Sequence, residues 1–171
     1  LTIKTLAIYL FCAGCMVFFL GGGEGGINIV ADGFRKMSFN LNALFNPQGW
    51  SCIYQDLPLY SDGQYEGFSY LGAGGILLLT VSMAAFLICM KKKRMLSRYY
   101  SEIAAVSVVM ILALITALSP TVTMGNNVLY DFSLPAVIEK YWGAFRATGR
   151  VGWILFYILL LGSSIVLSKV F

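Results

Sequence analysis

The 171 residues are long enough for one domain, but 58 % of them are hydrophobic and only 12 % charged, a balance that excludes an ordinary water-soluble fold. The net charge of +4 is not a nucleic-acid signal, because one short cationic block supplies it. The chain has no histidine, which excludes His-based zinc sites and Ser-His-Asp triads from this segment.

A bilayer core about 30 Å thick takes roughly 20 apolar helical residues to cross. Four runs come close, at 5–20, 70–90, 103–119 and 151–168. The expected fold class is therefore an all-α integral membrane protein with four transmembrane helices, a long ordered outer loop and an amphipathic interfacial helix before the last span. The first run, "TLAIYLFCAGCMVFFL", can also be read as the apolar core of a signal peptide. Its "CAGC" has redox spacing but lies among Leu, Phe and Val, so helix packing by small residues is the expected role. Cys12, Cys15 and Cys89 fall within spans and Cys52 in a loop, so no outer pair is available for a disulfide. The chain begins at Leu1 and ends at Phe171 as the fourth run closes, and it reads as a single transmembrane fragment of a longer multi-pass protein.

"GGGEGG" (Gly21 to Gly26) ends the first run as a flexible turn and lacks the Lys-Ser/Thr ending of a phosphate loop. The loop 21–69 then mixes Asn40, Asn42 and Asn46 with Phe45, Trp50, Tyr54, Tyr60, Tyr65 and Phe68. Its aromatic content argues for order rather than disorder. Near its end, Glu66 stands four residues before the second run, beside Tyr65, Phe68 and Tyr70. A carboxylate there can serve as a base or hold a metal or sugar hydroxyl, or it can simply cap the next helix. Asp56 and Asp62 read as turn residues.

Lys91, Lys92, Lys93, Arg94 and Arg98 fill the short link 91–102, and such links stay in the cytoplasm. Loops 21–69 and 120–150 then face outward, across the inner (plasma) membrane. In the second of these, Leu134, Val137, Ile138, Tyr141, Trp142 and Phe145 follow the spacing of one helical face. Ser133 can cap that helix. If it runs on to Arg150, then Arg146 and Arg150 lie at i and i+4 on one face. Guanidiniums match phosphate geometry, and the pair would suit the diphosphate or phosphate of a polyprenyl carrier. They can also snorkel to lipid phosphates or pair with Glu66 or Glu139.

The strings "NLNALFNPQGWS", "QYEGFSYLGAGGILLL", "FRATGR" and "VGWILFYILLL", in that order, resemble the later half of a family of bacterial polytopic membrane proteins that is similar to the GT-C glycosyltransferases. The resemblance covers roughly residues 39–161, with Ala73 and Thr148 departing from it. It implies transfer of a sugar from a polyprenyl-phosphate donor to a glycan or lipid acceptor at the outer face. The catalytic aspartate of such enzymes lies in an earlier loop that nothing here matches, so the catalytic residue and cofactors are unknown. On this reading Arg146 and Arg150 bind the lipid phosphate, while Glu66, Tyr70, Asn42, Asn46 and Trp50 line the substrate pocket and no metal site is expected. A non-catalytic lipid or polysaccharide translocation protein and a structural membrane subunit are the competing classes. The four runs contain no Asp, Glu, Lys or Arg, which weighs against a charged translocation pathway.

Overall fold

The computed structural model describes residue 11 and residues 30–90 and 100–170. The expected first span (apart from Phe11), the "GGGEGG" turn, "CAGC" and the cationic block 91–98 fall outside the described residues. The chain divides into two compact units, Leu1–Ala31 with Leu134–Phe145, and Asp32–Ser133 with Arg146–Phe171.

The larger unit holds helices α1 (Gly72–Met90), α2 (Tyr100–Leu118) and α4 (Gly152–Val170), strands β1 (Thr121–Met124) and β2 (Asn127–Asp131), and 3-10 segments Asp62–Gly67 and Thr148–Val151. Helix α4 packs against both α1 and α2. The side chains buried on these helices are mostly small: Ser82 and Ala85 on α1, Ala113 and Ala117 on α2, Ser163 on α4. Small residues let helix backbones approach where lipid offers no hydrophobic drive to associate. The remaining surface is apolar and open, with Val109, Ile111, Leu112, Leu161 and Ile165 all exposed.

Two helices among the described residues are long and apolar enough to cross a membrane, Tyr100–Leu118 and Thr148–Lys169, and only 11 % and 17 % of their apolar windows are buried. A core helix of a soluble protein would be mostly buried, so the exposed apolar surface calls for lipid around it. This finding corrects the expectation of an all-α protein with four spans. Helix α1 (Gly72–Met90) carries a shorter apolar segment among the described residues, Gly72–Ile88. Its start is fixed by Gly72, whose φ of +72° suits glycine and interrupts the apolar run at its head.

The second correction is a β-hairpin. Helix α2 stops because Ser119 turns left-handed (φ +62°) and Pro120 cannot continue it. Thr121↔Asp131, Val122↔Tyr130, Thr123↔Val128 and Met124↔Asn127 then pair antiparallel, with a bulge between Val122 and Thr123. The two-residue loop begins with Gly125 at φ +62°, as a II′ hairpin turn requires. A parallel bridge joins Asn40 to Thr123.

That bridge anchors a polar interior. Asn40 Nδ2 donates to Gln64 Oε1 (2.8 Å) and to the Gly125 carbonyl (2.8 Å), and its Oδ1 accepts from Gly125 N (3.0 Å) and Asn42 N (3.2 Å). Gln64 Nε2 donates to Thr123 Oγ1 at 2.7 Å and to Ser38 Oγ at 3.3 Å, and its Oε1 also accepts from Tyr60 N at 3.1 Å. Asn40, Gln64, Thr123 and Ser38 are all fully buried, and burial of such groups is tolerated because they bond one another. A small apolar cluster of Phe39, Ala43 and Ala117, flanked by Leu44, Leu114, Leu118 and Val151, lies where Phe39 N donates to the Ala117 carbonyl at the end of α2.

In the smaller unit, the expected surface helix is α3 (Ala136–Trp142), seven residues long. Its N-cap is Pro135 rather than Ser133, with no side-chain cap, and it ends at Gly143. Gly143 donates its N–H to the Glu139 carbonyl at 2.7 Å and accepts from Ala31 N at 2.8 Å. The helix does not extend through Arg150, so the expected i, i+4 placement of Arg146 and Arg150 on one helical face is also corrected.

Candidate functional site

Arg146 lies in a bend after the helix, and Arg150 in the 3-10 segment Thr148–Val151 that leads into α4. Two glycines determine where that segment sits. A β-carbon on Gly149 would come within 3.0 Å of both the Gly67 Cα and the Met37 carbonyl oxygen, and one on Gly152 would overlap the Phe39 ring. Gly149 N donates to that Met37 carbonyl at 2.9 Å. Gly149 therefore serves close backbone packing of the two 3-10 segments against residues 37–39.

This packing sets Arg150 beside Glu66. Arg150 Nε donates to Glu66 Oε2 at 2.7 Å, with the carboxylate side chain 14 % exposed and the guanidinium 59 %. The bond from Arg150 is the main reason the Glu66 carboxyl is held below its ordinary value of 4.5; partial burial opposes it, and the charge of Arg150, the Tyr65 side chain and the charge of Arg146 assist. The Nη groups of Arg150 make no hydrogen bond among the described residues, and neither does Arg146, which is exposed. The stem of Arg146 runs over Gly33, where a β-carbon would come within 2.7 Å of its Cγ. Glu66 is thus bonded to Arg150 and feels the charge of both arginines.

Aromatic side chains border the pair. Trp153 Nε1 donates to the Phe68 carbonyl at 2.9 Å, and the Phe68 ring lies 6.3 Å from that of Trp50, tilted by 40°. Trp50 is 81 % exposed and Tyr65 is exposed as well. The neighbours in sequence take different roles. Asp62 opens its 3-10 segment behind Ser61, whose Oγ accepts from Gly63 N at 3.2 Å, and Asp56 accepts from Gly49 N at 2.7 Å.

The other expected pocket residues divide. Asn46 is fully buried, its Oδ1 accepting from Leu57 N (3.0 Å) and Gln48 N (3.3 Å) and its Nδ2 donating to the Leu57 carbonyl (2.8 Å). Asn42 Nδ2 donates to the Pro58 carbonyl at 3.2 Å. Both asparagines fasten the loop 46–58 rather than face a ligand through these donors. Tyr70 is half-buried and its hydroxyl has no partner among the described residues. Arg35 is a residue that sequence spacing did not single out: with φ +70° it donates to Asp131 Oδ1 (2.7 Å), Thr121 Oγ1 (3.4 Å) and the Phe132 carbonyl (3.3 Å), tying the hairpin down. Its separation of 96 residues from Asp131 left no local signal.

Exposed apolar helices together with a hydrogen-bonded polar segment define a membrane-associated, mainly helical protein. The chain belongs to the family described as Domain of unknown function (DUF6311), whose model matches residues 2–171. No curated protein and no solved structure matches it.

Proposed function

We propose that the chain is part of a multi-pass protein of the bacterial inner membrane that binds a polyprenyl-phosphate-linked sugar at the outer face, in the manner of a GT-C glycosyltransferase. The observation that carries this reading is the Arg150–Glu66 pair at the head of α4, with the Nη edge of Arg150 and the guanidinium of Arg146 making no hydrogen bond among the described residues. Arg146 precedes the apolar helical stretch Thr148–Lys169 and Arg150 lies in its first turn, ahead of α4, the depth at which a lipid headgroup lies. Planar guanidiniums suit a phosphate by paired N–H···O bonds, and they would stabilise a phosphate on which charge grows as the sugar leaves. Trp50 and Tyr65 supply exposed ring faces for a sugar or acceptor. The outward orientation is supported by the cationic block between α1 and α2, and the kinship with sugar transferases by the quoted strings around Glu66, Arg146 and Arg150. The base that deprotonates an acceptor is assigned to no residue of this chain.

Replacing Arg146 and Arg150 together by Gln in the full-length protein, with membrane insertion confirmed, is expected to weaken binding of a polyprenyl-phosphate sugar by roughly 100-fold or more, as losing two charge-assisted contacts implies. Undiminished binding and turnover would overturn the reading.

A further inference from the structure

Glu66 is the anion that the fold places against Arg150, where it also feels the charge of Arg146. Two guanidiniums and one carboxylate sum to +1, whereas the arginines alone would give +2. The contact between Glu66 and Arg150 is side-on, through Nε, so a phosphate on the Nη edge would lie across the guanidinium from the carboxylate, about 6–8 Å away by hydrogen-bond geometry. At that range the carboxylate acts on the phosphate by charge alone, and it repels a doubly charged phosphate twice as strongly as a singly charged one.

We propose that Glu66 is a specificity-determining residue that biases this site toward a singly charged phosphodiester headgroup and against a doubly charged phosphomonoester. The inference rests on the phosphate-binding reading above and adds what the site distinguishes. The distinction has a consequence for sugar transfer. An acceptor hydroxyl oxygen forms the new bond to the anomeric carbon, the carbon–oxygen bond to phosphate breaks with its electron pair going to the phosphate oxygen, and the hydroxyl proton passes to that phosphate or to water. The loaded carrier is a phosphodiester with one charge, and the spent carrier is a phosphomonoester carrying about 1.5 to 2 at neutral pH. A carboxylate in the site therefore narrows the spent carrier's electrostatic advantage over the loaded one and hastens exchange of the spent one.

Glu66→Gln separates charge from position, because the amide oxygen can still accept from Arg150 Nε. The full-length protein in detergent is titrated with phosphatidylmethanol, a diester, and with phosphatidic acid, a monoester, of the same acyl chains. The pH is about 8, above the second phosphate ionisation near 6, and the readout is emission from the tryptophans, of which Trp50 and Trp153 border the site. Relative to the wild type, E66Q is expected to shift the preference toward phosphatidic acid by roughly three- to tenfold. Arg146→Gln removes an exposed cation with no hydrogen bond among the described residues and is expected to shift it the other way. It carries the test if E66Q fails to insert. Wild-type binding to both lipids with a preference that neither variant moves would overturn the role of Glu66 while leaving the phosphate reading in place. Binding of neither lipid by the wild type would overturn the phosphate reading itself. Inorganic phosphate at the lipid's concentration is expected to displace neither lipid, and full displacement would overturn a lipid as the source of the headgroup.

Discussion

Within the larger unit, residues 38–69 with the β-hairpin and the helices α1, α2 and α4 solve opposite problems. The first region buries Ser38, Asn40, Asn42, Asn46, Gln64, Thr121 and Thr123 and satisfies most of their polar atoms with one another and with turn backbone. The helices expose Val109, Ile111, Leu112 and Ile165 and bury alanine and serine. The first takes its uniqueness from a hydrogen-bonded interior while still exposing Trp50, Ile53, Met124, Tyr130 and Phe132; the second fits helices in lipid, where backbone satisfaction is internal and packing is by small residues.

The comparison can be broken most severely at Asn40. Asn40→Ala removes four hydrogen bonds and strands the Gly125 N–H and carbonyl and the Asn42 N–H, leaving Gln64 Oε1 only its bond from Tyr60 N, so a loss of about 3–5 kcal/mol is expected, measured as earlier denaturation of the segment and faster proteolysis near 46–58. Next is Val109→Lys, mid-way along α2 and exposed. A lipid-facing site costs about 2.5–3.5 kcal/mol of insertion, read as the fraction of membrane-integrated chain. A water-facing site would tolerate the change within about 0.5 kcal/mol. Gly152→Ala drives a methyl into the Phe39 ring and is expected to cost about 1–3 kcal/mol, visible as a lowered thermal midpoint.

The smallest effect is at Glu66. Its carboxyl titrates below the ordinary 4.5 because Arg150 holds it ionised. The sign follows from that depression: the stabilisation is present above about 4.5 and is lost as pH falls through the lower folded value. The pair is largely exposed on the Arg150 side, so the contribution is small. Thermal midpoints of wild type and Glu66→Gln should differ slightly at about pH 7, and the gap should close on acidification below about 4.5. A constant gap would separate Glu66 from Arg150.

The apolar periodicity located helices α1, α2 and α4, because an uninterrupted apolar run leaves few alternatives. The expected four spans are not supported: two helices among the described residues qualify, and the expected first span lies outside them apart from Phe11. The hairpin is legible in "TVTMGNNVLYD", which places β-branched and aromatic residues on either side of Gly-Asn, a two-residue hairpin signal. At the site, the pairing of an arginine with Glu66 was among the readings open to sequence, whereas the shared helical face was not realised, since the chain turns at Gly143 and again before Thr148. The roles of Asn42 and Asn46 as loop fasteners depend on contacts across 11 to 16 residues, which no local pattern encodes.

The proposed function requires the chain to meet both lipid and water, with the arginine site on the outer side of the boundary. Cys52 is exposed in the loop that leads to Glu66, while Cys12, Cys15 and Cys89 lie in apolar runs. Intact spheroplasts carrying the full-length protein, treated with a membrane-impermeant maleimide, are expected to label the chain at Cys52, with labelling abolished by Cys52→Ser. Labelling of Cys52 only after the membrane is permeabilised would put the site on the cytoplasmic side and contradict the account.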